Sequence, residues 1–290
     1  MGKFKTIISR TIRYITKGVP VNHTNAKIIE LSRNELLKDR VALVTGGTSG
    51  IGFAIAKSFV KAGAKVIITG RDNNRIEKAV ATLRNETEVD NIFGILLNNL
   101  DIKRFPDTIN SAISLFGRID ILVNNAGVLT YDTISSENEE QYDKVLNTNL
   151  RGPFFLSQHI GQHMIDNHIK GNILNIGSSS CLRPAVSAYT VSKWGIRGLT
   201  LGLARTLAPY GITVNGIAPG QTLTAMVHNH DTIGNLYRSN IPLGRFILPD
   251  EIGNMAVILV SEMGRSVIGD IVYMTGGAGV ITYEDMAYKF

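Results

Sequence analysis

The chain has 290 residues, 44% hydrophobic and 19% charged, with one cysteine and a formal net charge of +6. This composition fits a globular protein with a sizeable core. It excludes an internal disulfide, and its apolar runs fall short of the ~18–20 residues of a membrane-spanning helix. The lone Cys181 points to a reducing, cytoplasmic setting. Six of the 30 basic residues precede Glu30, and the 24 that follow balance the 24 acidic ones. The body is therefore neutral, and no nucleic-acid partner is expected for it.

Residues 1–37 read as a basic amphipathic extension and 38–290 as one domain. On a helical wheel Phe4, Ile7, Ile8, Ile12 and Ile15 share one arc, and Lys3, Lys5, Arg10, Arg13 and Lys17 fill the other. Gly18 and Pro20 end the pattern. Three readings stand: residues 1–18 lie on an anionic membrane surface, pack on the body or a partner subunit, or form an acid-free targeting peptide. The start MGKFKT also fits the loose myristoylation pattern.

From Arg40 onward β-branched runs alternate with helix-length amphipathic ones. The predicted strands are 41–45, 65–69, 91–97, 119–124, 171–177, 212–217 and 270–274. Strands spaced by such crossovers imply βαβ units. The expected fold is a single-domain α/β doubly wound Rossmann fold, about seven parallel strands with helices on both faces.

The first predicted strand enters VALVTGGTSGIGFAIAKSF, with glycines at Gly46, Gly50 and Gly52 ahead of a helix. Glycine permits a tight turn and lets a phosphate reach backbone N–H groups at the helix's positive end. Further on come Asp101 after the third strand, NNAG at Asn124–Gly127, Asn149 in NTNLRG, Tyr189 four residues before Lys193, and PGxxxT at Pro219–Thr224. In this order and spacing the chain, over roughly 38–277, resembles the short-chain dehydrogenase/reductases, in the subfamily marked by TGxxxGxG and YxxxK.

That resemblance implies a nicotinamide cofactor held by Gly46, Thr48, Ser49, Gly50, Ile51 and Gly52. It implies Asp101 and Ile102 on the adenine, Asn124, Ala126 and Gly127 along the cofactor, and Pro219, Gly220, Thr222 and Thr224 beside the nicotinamide. Asn124 has a competing reading as a residue that only bonds backbone. Members that use NAD usually carry an acid at the end of the second strand. Here Gly70 stands there and Arg71 follows; glycine leaves room for a 2′-phosphate and a guanidinium can pair with it. The reading is NADP, with NAD the lesser alternative.

Tyr189 and Lys193 are four apart on an expected helix and share a face. A free tyrosine, with pKa ~10, is a poor acid/base at neutral pH. A neighbouring ammonium and an oxidised nicotinamide would both lower that value. The catalytic set implied is Asn149, Ser178, Tyr189 and Lys193, with Tyr189 and Lys193 also touching the cofactor. Ser178 is chosen among the crowded serines because it follows the fifth strand directly. Asn149 is expected to kink its helix and hold a water that links Lys193 to solvent. Cys181 is read as a small packing residue.

The reaction implied is reversible hydride transfer between NADP(H) and a carbonyl or secondary alcohol, for example a 3-oxoacyl thioester or another ketone. A sugar or polyol dehydrogenase and a non-enzymatic NADP sensor or scaffold are the alternatives. His159, His163 and His168 lack a carboxylate partner, so no metal is expected. His228 and His230 fall in the expected substrate lid, which with Arg183–Val186 and Gln221 would shape the pocket. The resemblance also implies a homo-oligomer, tetramer or dimer, through the Tyr189 helix and the one before it, with Trp194 at the contact. The tail after Gly277 is expected to pack over a neighbouring site.

Overall fold

The structure is a computed structural model that describes residues 23–25, 34–130, 132–224 and 235–282. The amphipathic segment 1–18, His228, His230 and the last eight residues lie outside them. All seven predicted strands are present: β1 (Val41–Val44), β2 (Lys65–Gly70), β3 (Ile92–Leu96), β4 (Ile121–Asn124), β5 (Asn172–Ile176), β6 (Thr213–Pro219) and β7 (Ile271–Met274). They form one sheet in the order β3-β2-β1-β4-β5-β6-β7, and every pairing is parallel.

The helices are α1 (Gly50–Lys61), α2 (Asn73–Thr87), α3 (Phe105–Phe116), α4 (Glu139–Leu146), α5 (Gly152–Asp166), α6 (Ala188–Leu207) and α7 (Pro249–Val260). Alternation along each strand divides the core between the two faces of the sheet. Ala42 and Val44 join one cluster with Ile55 and Phe59 of α1 and Val257 of α7. Val41 and Leu43 point the other way, to Phe105 of α3 and to Leu156 and Ile160 of α5. Covered on both sides, β1, β4, β5 and β6 are buried at every residue, which explains their continuous apolar sequence. Among the described residues no helix is long and apolar enough to cross a membrane.

The chain runs outward from β1 to β3 on one side, then returns to place β4 on the other side of β1. This reversal opens a crevice at the carboxyl ends of the central strands, where such sheets hold ligands.

Candidate active site

A cleft of about 680 Å³ occupies that crevice. At one end the β1–α1 turn supplies Gly46, Thr48, Ser49, Gly50 and Ile51. Gly46 has φ +65°, and a Cβ there would lie 2.9 Å from Ala126 Cα. Only glycine lets the turn pass this close to β4. Gly52 does not line the cleft; a side chain on it would collide with Gly46 O and Asn125 Nδ2. Its part is to seat α1 against the turn. The first turn of α1 carries no acidic residue, so its positive end faces the cleft unopposed.

Gly70, Arg71, Asp72 and Arg75 line the same end. A Cβ on Gly70 would stand 2.8 Å from Thr48 Cγ2, so a carboxylate does not fit there without a shift. Asp72 caps α2 by accepting from Arg75 N–H at 2.8 Å. Arg75 is a second guanidinium that the strand-end pattern alone did not single out. Together the glycine cradle, the free helix terminus and the two cations fit the phosphates of a dinucleotide.

Three residues expected along this wall lie outside the cleft. Asp101 and Ile102 do not line the cleft. Asp101 lies 3.6 Å from Arg104 and begins a short 3-10 turn, while Ile102 packs against the core. Leu97 and Asn99 stand in the cleft instead, because they leave the end of β3 before the chain turns away. Asn99 Nδ2 donates to Thr148 O at 3.2 Å, and Asn99 Oδ1 and Thr148 Oγ1 are buried without partners. Asn124 is also outside the cleft. Its amide donates to Ser157 Oγ (2.9 Å) and Asn175 Oδ1 (2.8 Å), tying β4 to α5 and β5 through side chains. Its neighbour Asn125, the first residue past β4, lines the cleft with Ala126 and Gly127.

Toward the other end Ser178, Tyr189 and Lys193 line the cleft with Pro219, Gly220 and Thr222, while Thr224 stands beside the β1–α1 turn, its Cγ2 3.3 Å from where a Cβ on Gly50 would lie. Ser178 is 8% exposed. Its oxygen accepts from Ser180 N–H at 3.1 Å and lies 3.0 Å from Ser180 Oγ. It also acts on the Tyr189 phenol, favouring its charged form. Ser187 caps α6, closing a capping box with Thr190. Ser192 is fully buried and donates to Tyr189 O at 2.7 Å. Of the crowded serines, Ser178 is thus the one that lines the cleft with the tyrosine.

Lys193 is 7% exposed, its Nζ donating to Ile176 O at 2.9 Å and standing 5.6 Å from the Tyr189 ring centroid. Burial lowers its pKa to about 8. The Tyr189 phenol is raised above its usual value by burial, with the Ser178 hydrogen bond acting in the opposite direction. The expected lowering by Lys193 is therefore not the outcome for the chain alone. Burial disfavours phenolate more than its surroundings favour it.

Asn149 sits in a single π turn, Asn147–Arg151, between α4 and α5, a distortion that gathers at functional sites. Its Oδ1 accepts from Val128 N–H (2.8 Å), and its Nδ2 donates to Val128 O (2.9 Å) and Ser192 Oγ (3.2 Å). The side chain does not line the cleft; it holds the β4–α4 loop against α6. His163 is tied to the base of β4, where its Nε2 accepts from Ile119 N–H at 3.3 Å.

A sequence profile described as short chain dehydrogenase matches residues 40–233. The chain belongs to the short-chain dehydrogenase/reductase family. It is 36% identical over 251 residues to the 3-oxoacyl-[acyl-carrier-protein] reductase of Aquifex aeolicus, covering 83% of this chain and 98% of the relative. It is 35% identical over 246 residues to a 3alpha-hydroxysteroid dehydrogenase of Mediterraneibacter gnavus, covering 84% and 98%. The crystal structure of a Brucella melitensis 3-ketoacyl-(acyl-carrier-protein) reductase complexed with NADH superimposes with a TM-score of 0.76 at 29% identity, covering 84% of this chain and all of that one. The protein is thus an oxidoreductase of the short-chain dehydrogenase/reductase family, whose members use NAD(P)(H).

Proposed function

We propose that this oxidoreductase interconverts a carbonyl and a secondary alcohol with NADP(H), a 3-oxoacyl thioester or another ketone being the substrate and Tyr189 the acid/base. The observation that carries the reading is the meeting of Ser178, Tyr189 and Lys193 at one end of a cleft whose other end is a phosphate cradle. A bound nicotinamide supplies hydride transfer to or from carbon. The remaining work falls to side chains of this chain.

In reduction the Tyr189 O–H donates its proton to the carbonyl oxygen, and in oxidation it takes one back. Its raised pKa keeps it protonated at neutral pH, the form that reduction needs. The Ser178 hydroxyl, in the cleft with Tyr189, steadies the same oxygen as charge develops on it. Lys193, with a pKa of about 8, is poised to return a proton to Tyr189. Asn149 would act through the π turn, its backbone holding a water that relays protons to Lys193.

The preference for the 2′-phosphorylated cofactor rests on Gly70, Arg71 and Arg75. Asp72 is occupied as a helix cap and so is a poor partner for ribose hydroxyls. Phe154 on α5 and Val191, Trp194 and Leu201 on α6 are exposed apolar residues, which supports a homo-oligomer joined through these two helices. Cytoplasmic residence, with membrane contact through residues 1–18, completes the reading. The test is an NADPH-oxidation screen over ketone classes, 3-oxoacyl thioesters among them. Turnover on at least one class is expected; none on any class would favour a cofactor sensor instead.

A further inference from the structure

We propose that Glu137 is a positioning residue for Tyr189, clamping the first turn of α6 to the loop between β4 and α4. The proposal rests on the reading of Tyr189 as acid/base. Glu137 Oε2 accepts from Ala188 N–H at 3.1 Å, across 51 residues of chain. Its other oxygen, Oε1, is buried without a hydrogen-bond partner. Holding a carboxylate this way is unfavourable unless something nearby favours negative charge. The positive end of α6 does so: this 20-residue helix has no acidic residue of its own in its first turn.

The bond is not needed to start the helix. Ser187 already accepts from Thr190 N–H, and Thr190 Oγ1 accepts from Ser187 N–H and Val186 N–H. Glu137 adds registration between two elements. It directly precedes Asn138, the cap of α4, and α4 runs into the π turn that bears Asn149. That second residue reaches α6 at Ser192. The stretch from 137 to 149 therefore grips α6 at Ala188 and at Ser192, one residue before Tyr189 and three after it. A third tie, Ile134 N–H to Val186 O at 2.9 Å, fixes the same loop to the residues entering α6. Tyr189 must meet Ser178, which comes from the end of β5. A small rotation of the first turn of α6 would part the two hydroxyls, and displacements near 1 Å cost roughly 100-fold in rate.

The experiment compares Glu137→Ala and Glu137→Gln with the wild type, by steady-state kinetics and by amide hydrogen exchange. Alanine removes the acceptor; glutamine keeps one. Glu137→Ala is expected to lower kcat about 10-fold, leave KM for NADPH within about 2-fold, and speed exchange at residues 188–191 while β1 and β4 keep wild-type protection. Glu137→Gln should recover most of the lost kcat. Wild-type kcat in Glu137→Ala, an equal loss in both variants, or faster exchange spread over the whole domain would each overturn the proposal. If the wild type turns over no carbonyl, the enzymatic reading falls, and the exchange arm decides the clamp: unchanged exchange at 188–191 overturns it.

Discussion

Replacing Lys193 with methionine should make the protein more stable and inactive. Burial brings the lysine from 10.5 down to about 8, a shift worth about 3 kcal/mol between its charged and neutral forms. Below pH 8 the lysine is charged in both folded and unfolded chains, and the folded state bears the whole burden. Between pH 8 and 10.5 the unfolded chain binds more protons, so wild-type stability rises with pH. Above 10.5 the burden is gone. Methionine fills similar space without charge but gives up the bond to Ile176 O, a loss of about 1–2 kcal/mol. The net gain at pH 7 is about 1–2 kcal/mol, or roughly 2–4 °C in Tm per kcal/mol. Differential scanning fluorimetry of both proteins at pH 7 and pH 10 checks this. The gain should be present at pH 7 and shrink toward pH 10. A destabilised Lys193→Met at pH 7, or a gain that does not change with pH, would refute the burial argument.

Arg71→Asp should raise KM for NADPH about 100-fold, through loss of a charge-assisted pair and gain of a like charge, and leave KM for NADH nearly unchanged; steady-state kinetics with both cofactors reads it. Gly52→Ala should weaken binding of either cofactor and lower Tm, because the new methyl collides with Gly46 O and Asn125 Nδ2; titration calorimetry and a melting curve report the two effects. The alkaline limb of kcat/KM for NADPH should break near pH 8, where Lys193 loses its proton, and not at the higher pKa of Tyr189; in Lys193→Arg that break should move beyond pH 10.

The sheet was legible because its central strands are buried on both faces and so spell unbroken apolar runs. Gly46, Tyr189 and Lys193 were legible because a turn and a helix fix their spacing locally. What was not legible lay where the chain leaves regular structure. Asp101 matched by position along the chain, yet the chain turns into a 3-10 segment there, and Asn99 faces the cleft instead. Asn124 and Asn125 are adjacent, yet the first ends β4 with its side chain tied to Ser157 and Asn175, and only the second, just past the strand, lines the cleft. The direction of the Tyr189 shift depends on how deeply the phenol is buried, which spacing does not report. The bond from Glu137 to Ala188 spans 51 residues and carries no periodic signal at all.

The Tyr189 hydroxyl is the group on which carbonyl reduction depends. Carbonyl reduction by wild type and Tyr189→Phe should be measured beside the NADPH dissociation constant of each. The phenylalanine variant should lose about 10²–10⁴-fold in kcat, the span of general acid–base catalysis, while binding NADPH within about 3-fold of wild type. A Tyr189→Phe protein that keeps its turnover would contradict the assignment.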